Sequence, residues 1–140
     1  MPIDYVYNTE FKLINEMKVS FWLNRVVVSE GRVLGELTYA FFNDKELKEM
    51  NIKFLNHDYY TDVISFNDSF NKTLAGNIAI SVDRVIENSK IFKVSFDEEL
   101  RRVMVHGLLH LAGFNDKTKL DKLKMKEAEN LKMQMFHVEQ

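Results

Sequence analysis

A small mixed protein of the α+β (mixed α/β) class, one mixed sheet of about four strands with about five helices packed on it, is what this sequence predicts. Two observations carry that expectation. Short β-rich runs alternate along the chain with segments of helical period, several of them opened by capping residues. The length of 140 residues, with 46% hydrophobic and 29% charged side chains, suits a single domain over 1–140 with one substantial core.

Ile3 to Tyr7 alternates in the manner of a short strand. From Glu16 to Val28 the apolar residues Met17, Phe21, Leu23 and Val27 predict a helix, with Trp22 widening its buried face and Glu30-Gly31 setting its end. Val33 to Phe42 is β-rich and predicts a strand. Asn43, three residues ahead of Glu46, is a cap that opens a short helix through about Ile52. A polar turn then leads into a buried strand, Val63 to Phe66. Leu74 to Ser81 is a further strand, and Ser81 caps a helix to about Ile91 with Val82, Val85, Ile86 and Ser89 facing inward.

Ser95 and Glu98 form a capping box. The helix they start runs to about Ala112, packing Leu100, Met104, Leu108 and Leu111 on the core. Glu99, Arg102 and Val103 extend the neighbouring stripe of His106 and His110, where one of them could support the histidines, with solvent the expected place of Glu99. Thr118 with Asp121 caps a last helix to about Phe136, expected to bury Leu120, Leu123, Leu131 and Met135.

Composition narrows the function. The formal net charge of −2 gives no global basic field, so any nucleic-acid binding must come from a local patch. The absence of cysteine excludes disulfides and thiolate metal sites and fits a reducing compartment. Met1-Pro2-Ile3-Asp4-Tyr5 has neither a basic segment nor an apolar run, and no apolar stretch approaches a membrane span. The expectation is a cytoplasmic protein without a membrane partner.

The most informative run is His106-Gly107-Leu108-Leu109-His110-Leu111-Ala112-Gly113-Phe114-Asn115-Asp116. Histidines at i and i+4 stand one above the other on a single helix face. Gly113 falls where a left-handed cap would end the helix, letting the chain fold back so that Asp116 approaches the same point. Two imidazoles and one carboxylate, with a fourth position open, is the layout of a catalytic metal site rather than a closed structural one. The spacing is that of the metzincin run H-E-x-x-H-x-x-G-x-x-H, a zincin-like metal helix with two departures. Gly107 occupies the place of the glutamate base and Asp116 that of the third histidine. The donors suit zinc, and nickel or another divalent ion as well. His137, near the C-terminus, is a weaker ligand candidate.

The run resembles the signature of the YbeY family of metal-dependent endoribonucleases of ribosomal RNA maturation, His-Gly-x-Leu-His-Leu-x-Gly-Tyr-Asp-His. His106, Gly107, Leu109, His110, Leu111 and Gly113 match it, and Phe114 replaces a tyrosine. A second stretch, Asn51 to Phe66, is similar to the family segment Leu-Asn-x-x-Tyr-Arg-x-x-Asp-x-x-Thr-Asp-Val-Leu-Ser-Phe, with Asn51, Asp58, Thr61, Asp62, Val63, Ser65 and Phe66 in register. Leu55 stands in the place of the family's functional arginine; Lys53 or His57 could supply a positive group nearby. Gly76-Asn77-Ile78-Ala79-Ile80-Ser81 resembles Gly-Asp-Ile-x-Ile-Ser, with Asn77 in place of the acid.

The resemblance implies a small mixed sheet with a metal site beside it, one zinc ion per chain, and endonucleolytic cleavage of single-stranded ribosomal RNA precursors in ribosome maturation and quality control. Ribosomes or ribosomal proteins would be partners. His106, His110 and Asp116 are then the metal ligands and the catalytic centre. Candidate substrate contacts are Lys53, His57 and Asn77, whose strand also reads as plain core. From charge pattern they include the basic group Lys119, Lys122 and Lys126, which shares one side of the last helix with Lys117 and Lys124 nearby and also reads as a solvated face. Two other functions stand beside this one. A ribosome-assembly factor with a structural metal and little catalysis is kept open by Leu55 and Asp116. A zincin-type peptidase is disfavoured by Gly107.

Overall fold

The computed structural model describes residues 3–138, the side chains of 137 and 138 excepted, so the His137 ligand candidate and Met1-Pro2 lie outside the described residues. The elements are β1 (Ile3–Tyr7), α1 (Glu16–Ser29), β2 (Val33–Phe42), α2 (Asp44–Leu55), β3 (Val63–Asn67), β4 (Thr73–Ser81), α3 (Val82–Phe92), α4 (Phe96–Leu111) and α5 (Lys119–Val138). The sheet runs in the order β1-β2-β4-β3, with β1 and β4 parallel to β2 and β3 antiparallel to β4. Both the mixed sheet and the alternation of strands and helices agree with the expectation.

Strand alternation gives the sheet two unlike faces. Ile3, Leu37, Tyr39, Phe41, Leu74, Ile78 and Ile80 point into the main core, against α1, α3 and α4. On the opposite face Ile64 and Ala79 meet Leu47 of α2, with Phe42, Met50 and Phe66 around them. The layer is therefore unequal: most helices lie on one face and α2 on the other.

The caps act as expected. Asn43 Oδ1 accepts from Glu46 N–H at 2.8 Å, Ser81 Oγ from Arg84 N–H at 3.1 Å, and Ser95 Oγ from Glu98 N–H at 3.1 Å. In α2 the helix continues to Leu55, past the expected end near Ile52, because Asn56 supplies a left-handed cap at φ 56°.

Several buried faces differ from the expectation. In α1 the inward stripe is Val19, Trp22, Leu23, Val26 and Val27, while Met17 and Phe21 lie exposed. Ile86 of α3 is likewise exposed. In α5 the leucines 120, 123 and 131 face outward, and Met125, Ala128, Glu129, Lys132 and Phe136 are buried instead. Two of those inward residues are charged and paired: Lys132 Nζ reaches Glu30 at 2.8 Å and Ser29 Oγ at 2.9 Å, and Glu129 binds α4. Glu99, expected on a solvated stripe, is 3% exposed.

Two features seat the helix α4 on the sheet. The buried Tyr39 hydroxyl donates to the Met104 carbonyl at 2.9 Å, two residues before His106. Gly107 lies against the strands, where a Cβ would come within 2.8 Å of Ile78 Cγ2, 3.2 Å of Ser65 Oγ and 3.3 Å of Val63 Cγ2. Ser65 Oγ donates to the Gly107 carbonyl at 3.1 Å. Only a residue without a side chain allows this approach.

Candidate metal centre

The centre is built by the way α4 ends. Gly113, at φ 105°, takes the left-handed position after Ala112. Its N–H donates to the His110 carbonyl and that of Phe114 to the Leu109 carbonyl, each at 3.0 Å. These are the two bonds of a Schellman motif, and its usual apolar contact is present as Phe114 against the Leu109 cluster. The turn brings the Phe114 carbonyl back over the helix, where it accepts from His110 Nδ1 at 2.9 Å. Asp116 follows two residues later and swings its carboxylate to the same point.

Each imidazole is held by its other nitrogen. His106 Nδ1 donates to Glu129 Oε2 at 2.6 Å and His110 Nδ1 to the Phe114 carbonyl. Both acceptors favour a hydrogen on Nδ1, the tautomer that leaves each Nε2 free to bind a metal ion. The Nε2 atoms are 3.1 Å apart, and Asp116 Oδ2 lies 3.4 Å from that of His106 and 3.3 Å from that of His110. In that tautomer two lone pairs and a carboxylate face one another and repel unless a proton or a metal cation joins them. Zinc bonds of about 2.0–2.1 Å in a tetrahedron place their donors about 3.3 Å apart. The three edges observed match that figure, so the donor set fits a divalent ion. His106, His110 and Asp116 form the one group of this kind among the described residues, and all three are half-buried.

Charged groups surround the histidines. Glu129, itself buried, is held by Arg102 Nη1 at 3.2 Å, and the same nitrogen reaches Asn130 Oδ1 at 3.2 Å. Burial disfavours the charged form of His106, but the carboxylates of Glu129, Asp62 and Asp116 outweigh it and raise its pKa. Asp62, the acid of the Thr61-Asp62-Val63 run, is raised by burial against the pull of His106, and Asn88 Nδ2 donates to its Oδ2 at 3.1 Å. Glu99 lies two turns before His106 with its Oε1 buried and without a hydrogen-bond partner. Burial, reinforced by Asp62 and Glu129 and opposed by Arg102 and Lys126, pushes its carboxyl up to about 7. Sequence reasoning missed Glu129 and Asp62 as neighbours of the histidines and misplaced Glu99. The in-register Asp62 was the available signal for one; nothing in the pattern of α5 marks Glu129 as inward.

The other candidates divide. Lys119, Lys122 and Lys126 are exposed on α5, the helix that also supplies Glu129, and Lys119 begins three residues after Asp116. Asn77 lies on the opposite face of the sheet from α4, lining an apolar groove of about 330 Å³ with Phe42, Met50, Phe54 and Phe66. Lys53 is exposed on α2 at 5.3 Å from the Phe54 ring, beside that groove. His57 is exposed in the loop between α2 and β3, whose far end, Asp62, faces His106.

A mixed sheet carrying a donor set of two helix-borne histidines and an aspartate from the turn that follows defines the class: a small α+β protein with a candidate catalytic metal centre. The chain belongs to the YbeY family: the family model described as Endoribonuclease YbeY matches residues 6–137. A relative from Flavobacterium johnsoniae described as Endoribonuclease YbeY is 46% identical over 138 residues, 99% of each chain. One of the same description from Bacteroides thetaiotaomicron is 40% identical over 87% of this chain and 89% of its own. Among solved structures, the solution structure of TM1509 from Thermotoga maritima superposes with a TM-score of 0.65 at 24% identity, covering 96% of this chain and 88% of that one, a likeness of fold.

Proposed function

We propose that this protein cuts single-stranded ribosomal RNA precursors at phosphodiester bonds, using a zinc ion held by His106, His110 and Asp116. Family membership makes it an endoribonuclease, a metal-dependent hydrolase acting on RNA. Zinc, the ribosome as partner, the cytoplasm as location and action as a single domain belong to the proposal. Nickel or another divalent ion also suits the donors. Among the described residues no helix is long and apolar enough to cross a membrane.

The observation that carries the reading is the convergence of two Nε2 atoms and one carboxylate oxygen at tetrahedral spacing. When bound, a divalent ion supplies a Lewis acid that brings the pKa of water from 15.7 toward about 7 and offsets charge on phosphoryl oxygens. The chain's own residues do the rest. Glu129 and the Phe114 carbonyl fix the rings and their tautomers. Lys119, Lys122 and Lys126 offer an exposed cationic face to the RNA backbone on the helix that borders the centre. Position 107 faces the sheet and has no room for a side chain, so the glutamate base of a zincin peptidase has no counterpart here.

Cleavage of a ribosomal RNA precursor by the purified protein, with and without chelator, tests this. Chelator-sensitive endonucleolytic products are expected. Full metal content without cleavage would leave an assembly factor with a structural metal.

A further inference from the structure

Resting on the ribonuclease reading, we propose that the loop between α2 and β3 is a stacking subsite, where the His57–Tyr59 ring pair takes an unpaired base of the RNA strand close to the metal centre. The two rings lie 5.2 Å apart between centroids and 17° from parallel, and Tyr59 Oη is hydrogen-bonded to His57 Nδ1 at 2.9 Å. Tyr59 is 54% exposed, and His57 is exposed beside it. Two aromatic rings are thus held together in water, where they forgo the burial that aromatic side chains usually gain.

The loop that carries them is fixed in place. Asn56 turns the chain out of α2 in the left-handed conformation, and His57 N–H donates to the Asn51 carbonyl at 3.1 Å. Asn51 is 2% exposed, and its side-chain amide donates to the Tyr59 carbonyl at 3.1 Å. A buried polar side chain needs a partner. Here that need is met by holding an exposed loop.

The same loop ends at the metal helix. Asp62 is three residues after Tyr59, a reach of at most about 11 Å. It is half-buried and feels the charge of His106, while Val63 and Ser65 sit against Gly107. Next to the pair, the Tyr60 ring has Lys48 Nζ at 4.6 Å and the Arg84 guanidinium at 5.5 Å from its centroid. Lys48 also meets Asp58 at 3.7 Å, and Arg84 pairs with Asp44. The loop's charges are therefore largely balanced, and its distinguishing feature is the ring faces. Stacking on aromatic rings tolerates any base but requires one that is out of a duplex, so the subsite selects single strands.

Binding of the full, metal-loaded chain to a short oligoribonucleotide made resistant to cutting by 2′-O-methyl sugars and phosphorothioate links tests the subsite. Tyr59→Ala should bind the single strand about 5- to 100-fold more weakly. Its salt dependence should stay unchanged, because stacking neutralises no phosphate. Tyr59→Phe, which keeps the ring, should retain most of the affinity, and a duplex of the same sequence should bind wild type and Tyr59→Ala alike. Tyr59 is exposed, so a melting midpoint near that of the wild type is expected for both variants. Wild-type cleavage of the unmodified oligonucleotide reports separately on the ribonuclease reading. Normal cleavage together with unaltered single-strand binding by Tyr59→Ala, or equal losses on single strand and duplex, overturns the stacking subsite alone. No RNA binding by the wild type overturns both.

Discussion

Glu99→Gln should make the protein more stable above neutrality and leave it nearly unchanged in mild acid. The wild-type carboxyl is 3% exposed, its Oε1 has no hydrogen-bond partner, and Asp62 and Glu129 add negative charge nearby. Its pKa is about 7 in the folded protein against an ordinary 4.5, a difference equivalent to about 3 kcal/mol. The folded state thus holds a proton that the unfolded chain has released, so wild-type stability is full below about pH 4.5, falls as pH rises, and reaches its floor above about pH 7. Glutamine mimics the protonated acid at every pH. Urea unfolding of both proteins, followed by the fluorescence of the buried Trp22 with chelator present throughout, reads the difference. It should be near zero at about pH 4.5 and about 1–3 kcal/mol in favour of the variant at about pH 8.5. The same pH dependence in both proteins would refute the placement of Glu99 as a buried, unpaired acid.

Three further outcomes are expected. Gly107→Ala should lower stability by about 1–3 kcal/mol in urea unfolding, because the new Cβ meets Ile78 Cγ2 at 2.8 Å, outweighing alanine's better helix propensity. Glu129→Gln should weaken metal binding about 10- to 100-fold in a competition titration with a chromophoric chelator, since His106 loses the carboxylate that orients it. Changing Lys119, Lys122 and Lys126 together to glutamine should flatten the slope of log affinity for single-stranded RNA against log salt by about two, at about 0.7 per phosphate contact, with metal content unchanged.

How much of this was legible in the sequence depended on which signal each residue carried. Strands and helix starts announce themselves by local chemistry: β-branched and aromatic runs, and the Asn43, Ser81 and Ser95 caps, whose hydrogen bonds formed as expected. The grouping of His106, His110 and Asp116 was legible because both the periodicity of the run and its terminating glycine are local. Helix faces were less so. Helix α1 carries apolar residues on two faces, and only the position of its neighbours decides that Trp22 and Leu23 go inward while Met17 and Phe21 do not. Helix α5 inverts the rule, turning Glu129 and Lys132 inward because Arg102, His106 and Glu30 await them. Those partners are remote in sequence, so leucine spacing pointed to the wrong side. For the same reason Glu99 looked solvated, and Asn77, read beside the metal, lies on the far face of the sheet.

Metal content of the purified wild type, His106→Ala, His110→Ala, Asp116→Ala and Asp116→His, measured by elemental analysis, tests the central claim most directly. About one divalent ion per wild-type chain is expected for a centre with three protein ligands. Occupancy should vanish in both histidine variants, drop sharply in Asp116→Ala and persist in Asp116→His, with the fold retained throughout. Full occupancy in either histidine variant, or equal affinity in wild type and Asp116→Ala, would contradict the assignment of the centre to the turn that ends α4.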